Sequence, residues 1–371
     1  MLNIIGQIAG TSGYSMHTKQ LALALSKLTD VRLSTTLPTG YESMLSDREL
    51  MLLKVKPEPK EDTLIISFPT TWRMHLGHGR NIGYLVWEGS SVPECFITEI
   101  ENESINAVIV PSEHVRDAIK VTAESRWGSI KDKINVIPHG HDPNLFFSTD
   151  KPKDKCVFVA NKGWRNLQDR GGIQYLLKAY IEEFTKDDKV ELLIKLNPAY
   201  GIPNINQLIQ DLNLPKKEGG PVIIFNTQNL PDAHLHRVYN SGNVFVSPTR
   251  AEAFNIPCLE AMACGLPVIT TNFGGQTDFV NEMNGWLIGG DLTEVEHEVM
   301  YEGIKWLTPS VDELKRALRH AYDHQDEVKF KGNVARVAAG YYTWDRTAQE
   351  VITLLTSPPQ IPQVLVPTSS G

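Results

Sequence analysis

The feature that most limits what this chain can fold into is a rhythm that starts twice. Short runs of β-branched and apolar residues alternate with segments whose apolar residues recur at helical spacing. The first series reads LNIIGQI, a helical pattern from Met16 to Leu28, then VRLSTT, TLIISF, IGYLVW, NAVIV and INVIP. Strands that alternate with helices are joined by crossovers, and crossovers place strands side by side in a mostly parallel sheet covered by helices. The series halts at HGHDPNLFFSTDKPKDK, whose prolines and charges mark a linker. It restarts with CVFVA, a helix from about Gly172 to Phe184, VELLIKL, a helix near Ile205 to Leu212, PVIIF, a helix from Pro231 to Asn240, NVFVS, another helix and PVITT.

At 371 residues and about 150 residues per domain, two cores are expected. Residues 1–145, joined by the C-terminal helix at about 344–357, form the first Rossmann-like domain in this reading, and residues 150–343 form the second. Amphipathic helices follow Val311, the last of them in YTWDRTAQEVITLL. SPPQIPQVLVPTSSG is rich in proline and serine, so residues 358–371 read as a flexible tail.

A formal net charge of −8 supplies no positive field for a polyanion, and nucleic acid is not expected as a partner. No apolar run reaches the roughly 18 to 20 residues that cross a bilayer, and no charged-then-apolar leader opens the chain. A cytoplasmic location is therefore expected, with contact at a membrane surface left open. Cys95, Cys156, Cys258 and Cys264 form no Cys-x-x-Cys pair and read as reduced thiols.

The densest chemistry lies in SPTRAEAFNIPCLEAMACGLPVITTNFGG, where Glu252 and Glu260 flank a strand end, a loop and a helix start. Pro257 suits a first helical turn, where a missing N–H costs nothing. The N–H groups of Phe254, Asn255 and Ile256 then face outward from a helix N-terminus, which favours an anion such as a diphosphate. Glu260, one turn into the helix, can accept two hydroxyl hydrogen bonds from a ribose. The plainer alternative makes the two glutamates partners of the helix dipole and Gly265 an ordinary cap.

Taken whole, the string resembles the signature of retaining glycosyltransferase family 4: two glutamates separated by a short loop, LEAMACGLPVI, and a Gly-Gly turn. The resemblance implies the GT-B fold, an α/β architecture of two facing Rossmann-like domains with parallel sheets and an interdomain cleft, the first domain taking the acceptor and the second the nucleotide-sugar donor. It implies that Glu252 contacts the donor sugar, Glu260 holds the ribose, and Gly274 and Gly275 approach the diphosphate. Asn255 stands where the family usually has glycine. GTSGYSMHTKQLALAL resembles the family's glycine turn, which makes Gly13 a diphosphate contact, with His17 opening the helix. In NKGWRNLQDRGG the family places an arginine and a lysine on the diphosphate. Lys162, Arg165 and Arg170 are available there, and Gly171 occupies the usual lysine position. Arg165 and Arg170 are assigned the task because paired forks suit phosphate oxygens.

GYLVWE ends a strand and points Glu88 toward the cleft, where many family members carry a histidine; His75 and His78 lie nearby. The expected catalytic set is Glu252, Glu88, Arg165 and Arg170. Gly13, Lys162, Phe254, Asn255, Ile256, Glu260, Gly274 and Gly275 are the expected donor contacts. The resemblance implies transfer, with retention and without a metal or further cofactor, of a hexose-type sugar from a UDP or GDP sugar to a hydroxyl acceptor such as a glycan. The two carboxylates Glu88 and Glu252 are not read as a glycosidase pair. Two rival readings are a nicotinamide dehydrogenase, which would need a Gly-x-Gly-x-x-Gly turn that the chain lacks, and a non-catalytic nucleotide-sugar-binding protein of the same fold.

Overall fold

The computed structural model describes residues 1–10, 12–35, 45–58, 60–149, 154–197, 201, 203–214, 220–296 and 298–357. The tail assigned to residues 358–371 lies outside them. In the first half, β1 (Leu2–Gly6), β2 (Val31–Thr35), β3 (Asp62–Ile66), β4 (Asn81–Tyr84), β5 (Ala107–Val110) and β6 (Ile134–Val136) form one sheet in the order β2-β1-β3-β4-β5-β6. Every pairing in it is parallel. In the second half, β7 (Cys156–Lys162), β8 (Val190–Leu196), β9 (Val222–Asn226), β10 (Val244–Ser247), β11 (Val268–Thr271) and β12 (Gly285–Ile288) follow the order β12-β11-β10-β7-β8-β9, again all parallel.

Both sheets are covered by helices, so their central strands are buried on two faces. All seven residues of β7 are buried, as a near-continuous apolar run predicts. Each sheet also has a point where the strand order turns back. It falls between β1 and β3 in the first sheet and between β7 and β10 in the second. The loops leaving the carboxyl ends of strands at such a point diverge, and the crevice between them is where open α/β sheets bind ligands. Gly13 follows β1, Lys162 ends β7 with Arg165 and Arg170 in the loop after it, and Ser247 ends β10 with Glu252 to Asn255 in the loop after it.

The chain crosses between the halves twice. Near the crossings His141 and Thr343 form a parallel bridge, and the His141 N–H donates to the Tyr342 carbonyl at 3.0 Å. The helix Trp344–Thr356 then returns to the first sheet, burying Trp344, Ala348 and Val351 among Leu2, Ile4, Leu21 and Leu25. Among the described residues, no helix is long and apolar enough to cross a membrane.

One element has no counterpart in the alternating pattern. β13 (Gly290–Glu294) and β14 (Lys305–Pro309) form an antiparallel hairpin that joins neither sheet. Val295, Tyr301, Ile304 and Trp306 from it are buried in the same cluster as Trp87, Val92 and Phe96 of the first half.

Candidate functional site

A cavity of about 490 Å³ opens between the two sheets. Its second-sheet wall includes Lys162, Arg165, Arg170, Glu252, Phe254, Asn255, Ile256 and Glu260, and its first-sheet wall includes Gly13, Tyr14, Phe68 and Glu88. Of the residues singled out in the sequence, Gly274, Gly275, His75 and His78 do not line it.

The second-sheet wall is built around the helix Ile256–Ala263. Asn255, its N-terminal flanking residue, has φ +75° and ψ +60°. This is the left-handed conformation, which glycine adopts freely and asparagine tolerates better than most residues. Asn255 therefore holds a backbone that a glycine at this position would take freely. Its side chain does not cap the helix; Nδ2 donates to Ser247 Oγ at 3.1 Å, and Oδ1 accepts from Lys162 Nζ at 2.8 Å. The first-turn N–H groups are thus left facing the cavity without a side-chain cap, the arrangement that suits an anion.

Lys162 also donates to Glu252 Oε1 at 2.7 Å, and both side chains are largely withdrawn from solvent. Burial pushes the Glu252 carboxyl upward, but the charges of Lys162 and Arg170 and the hydrogen bonds from Lys162 and Thr249 outweigh it, leaving the group below the ordinary carboxylate value. Glu252 is therefore an ionised acceptor in the cavity wall. Its backbone is fixed as well, because the Gly275 N–H donates to the Glu252 carbonyl at 2.8 Å. A Cβ on Gly275 would lie 2.0 Å from the Ala253 carbonyl oxygen, so only glycine lets the turn come this close. The Gly-Gly turn holds Glu252 in place from behind the wall.

Glu260 is buried, with one carboxylate oxygen accepting from the Tyr239 hydroxyl at 2.7 Å. Asn161 Nδ2 donates to that same hydroxyl at 2.9 Å. Burial and the neighbouring Glu260 charge hold the Tyr239 hydroxyl in its protonated, donating form. Tyr239 and Asn161 carry no signal in the sequence; a tyrosine in a helix reads first as core.

The loop after β7 is organised by Asp169. Its two carboxylate oxygens accept the N–H groups of Gly171 at 2.8 Å and Arg165 at 2.9 Å. The Arg165 side chain is more than half exposed, 3.5 Å from Asp169 Oδ2. The Arg170 carbonyl accepts the Arg250 N–H at 2.8 Å, which ties this loop to the one after β10. Asp169 likewise carries no signal in the sequence, where an acidic residue among arginines reads as charge compensation.

The two walls meet at Glu88. Arg170 Nη1 lies 2.5 Å from Glu88 Oε1, and the Tyr301 hydroxyl donates to that oxygen at 2.7 Å. The Glu88 carbonyl is 3.1 Å from His114 Nε2. Two more bonds join the halves nearby, from Ser112 Oγ to the Ala253 carbonyl at 2.6 Å and from the Glu113 N–H to Asp278 Oδ2 at 2.9 Å.

His17 does not open its helix, which runs Gly13–Leu25 behind the cap residue Ser12. It sits in the second turn, buried, with its ring centroid 4.2 Å from that of His139 and 5.7 Å from that of Trp344. Burial holds both imidazoles neutral, pushing His139 down to about 3.

Residues 154–301 match the family described as glycosyl transferases group 1. This second half of the chain is similar to the group 1 glycosyltransferases. The matched residues hold all six strands of the second sheet and the cavity wall from Lys162 to Glu260. A probable sucrose-phosphate synthase of Thermosipho melanesiensis is 25% identical over 233 residues, which cover 62% of this chain and 48% of the relative. The match thus spans about half the length of that relative. Among solved structures, a glycosyltransferase from Rickettsia africae superposes with a TM-score of 0.69 at 15% identity, over 95% of this chain and 97% of the other. Anabaena Alr3699/HepE in complex with UDP-glucose gives 0.65 at 15% identity, over 96% and 99%. The fold is GT-B, with two six-stranded parallel sheets facing one cleft.

Proposed function

We propose that this chain is a group 1 glycosyltransferase that moves a hexose-type sugar from a UDP or GDP sugar to a hydroxyl acceptor, with retention and without a metal, in glycan, polysaccharide or glycoconjugate synthesis. One observation carries the reading. An uncapped helix N-terminus, the cations Lys162, Arg165, Arg170 and Lys195, and the glutamates Glu252 and Glu260 line a single cavity, which Glu88 and Gly13 close from the other half.

The chemistry follows from those positions. The diphosphate meets the N–H groups of Phe254, Asn255 and Ile256 and the charges of Arg165 and Arg170, so the leaving group is stabilised as its charge grows. Glu260, with one oxygen already held by Tyr239, accepts ribose hydroxyls. Glu252, kept ionised by Lys162, accepts hydroxyls of the donor sugar and faces the positive charge that builds at its ring as the bond breaks. The acceptor hydroxyl attacks C1 from the face the diphosphate leaves. The C1–O bond to the phosphate breaks, the new C1–O bond forms, and the acceptor proton passes to the departing phosphate oxygen.

A thermal-shift series with UDP and GDP tests the donor site. A ligand at 100 times its dissociation constant stabilises the fold by about 2.7 kcal/mol. One of the two nucleotides is expected to do so, and no shift with either refutes the assignment. Turnover of a bound nucleotide sugar separates an enzyme from a binding protein of the same fold.

A further inference from the structure

The hairpin β13–β14 is the part of the molecule that the site described so far does not use. It leaves the second half and seats itself on four consecutive residues of the first, Trp87 to Ser90. The Tyr301 ring stacks on Trp87 at 4.7 Å between centroids, with the planes 14° apart. The Tyr301 hydroxyl reaches Glu88 Oε1 at 2.7 Å. A Cβ on Gly89 would fall 2.4 Å from Ile304 Cγ2, so the hairpin approaches closer than any other residue there would allow. The Ser90 N–H donates to the Lys305 carbonyl at 3.1 Å, and the Lys305 N–H donates back to Ser90 Oγ at 3.0 Å. Trp306 packs edge-on to Tyr301 at 5.0 Å and lies under the Arg250 guanidinium at 5.5 Å. Through Arg250 the hairpin is tied back to the loop that carries Arg170.

This arrangement has one chemical outcome. A glutamate at a strand end has three rotatable side-chain bonds, and an ion pair to Arg170 alone fixes one oxygen loosely. With Tyr301 added, Glu88 Oε1 holds two donors from two directions, a hydroxyl and a guanidinium. The plane of the carboxylate is then set, and Oε2 is the oxygen left for a substrate hydroxyl. A rigid aromatic stack, rather than a flexible loop, carries the hydroxyl that does this.

We propose that Tyr301 is a positioning residue for Glu88, carried across the cleft by the hairpin so that the first half's carboxylate meets the donor in one fixed orientation. The proposal rests on the reading of Glu88 as part of the transfer site. It also gives the hairpin a purpose that neither sheet requires of it.

The test is Tyr301→Phe, which keeps the ring and its stack on Trp87 and removes only the hydroxyl. Turnover is followed with UDP-glucose and GDP-mannose as donor probes, counting both transfer and slow hydrolysis, alongside UDP and GDP affinity and thermal melting. The expected result is a fall in kcat of about tenfold, the value of one hydrogen bond to a charged group, with nucleotide affinity and melting temperature held. Glu88→Gln lowers kcat further, and the double variant is no worse than Glu88→Gln alone, because both changes act through one carboxylate. Gly89→Ala, which pushes the hairpin off Glu88 without touching either side chain, reproduces the kcat loss. Wild-type turnover in Tyr301→Phe while Glu88→Gln is impaired overturns the proposal, as does a double variant whose losses multiply. Full activity in Glu88→Gln overturns instead the reading of Glu88 beneath it, and so does a wild-type chain that turns over no nucleotide sugar.

Discussion

Replacing Lys162 with methionine removes one charge and two hydrogen bonds while keeping nearly the same length of side chain. The ammonium lies 2.7 Å from Glu252 Oε1 and 2.8 Å from Asn255 Oδ1, and its side chain is 6% exposed against 18% for Glu252. Breaking a buried pair by removing one partner costs about 3–5 kcal/mol, because the remaining charge stays buried without compensation. Thr249 Oγ1, 3.3 Å from the same carboxylate oxygen, and the field of Arg170 remain, which places the loss near about 3 kcal/mol. For a cooperative unit of about 150–250 residues that is a melting temperature lower by roughly 6–12 °C.

The pH dependence of that loss is the sharper observable. In the native chain the Glu252 carboxyl lies below the ordinary 4.5, so its contribution to stability is complete above that value and disappears as pH falls through the folded value. Without Lys162, burial dominates and the carboxyl moves up, so holding it ionised at neutral pH is unfavourable and protonation relieves the strain. The gap in melting temperature between native and variant is therefore widest near pH 7–8 and narrows toward acid. Melts followed by circular dichroism from about pH 4.5 to pH 8 measure it. A gap that is absent at pH 7, or that stays constant across the range, refutes the buried-pair account of this wall.

Three further outcomes are expected. Glu260→Ala removes charge-assisted hydrogen bonds worth about 1.5–3 kcal/mol, which weakens nucleoside-diphosphate binding about ten- to a hundredfold by calorimetry; unchanged affinity in a folded variant takes Glu260 out of the site. Turnover of the nucleotide sugar persists in excess chelator, since side-chain cations meet the diphosphate, and a strict divalent-metal requirement defeats that assignment. Truncation after Thr343 removes Trp344, Ala348 and Val351 from the core of the first half and yields protein that melts far lower or fails to fold, as soluble yield and melting curves report.

The two sheets were legible in the sequence because their central strands are apolar on both faces and are punctuated by glycine, proline and asparagine. Runs such as CVFVA and VELLIKL have few alternatives to a buried parallel strand. The second-sheet wall of the cavity was legible for a different reason: a helix start, two glutamates and a glycine turn in one stretch of chain must be neighbours in space. What the sequence hid are contacts made by residues far apart in it. Tyr301 lies 213 positions from Glu88, in a segment whose spacing fits neither the sheet nor the helix pattern, so nothing local announces that it crosses the cleft. Asp169, Tyr239 and Asn161 are similar cases. Each holds another residue of the wall in place and has no motif of its own. The glycine turn at 274–275 shows the opposite limit, since the string was conspicuous yet the turn stands behind the cavity and holds Glu252 rather than lining the wall.

The central claim is transfer with retention from a nucleotide sugar at this cleft. Its most direct measurement is the configuration of the sugar first released when the chain turns over UDP-glucose or GDP-mannose, followed by proton NMR before the anomers equilibrate. The account predicts that the α-anomer appears first with whichever donor is used, and that its release is lost in Glu252→Ala. A first-formed β-anomer, or release at the native rate from the Glu252 variant, contradicts it.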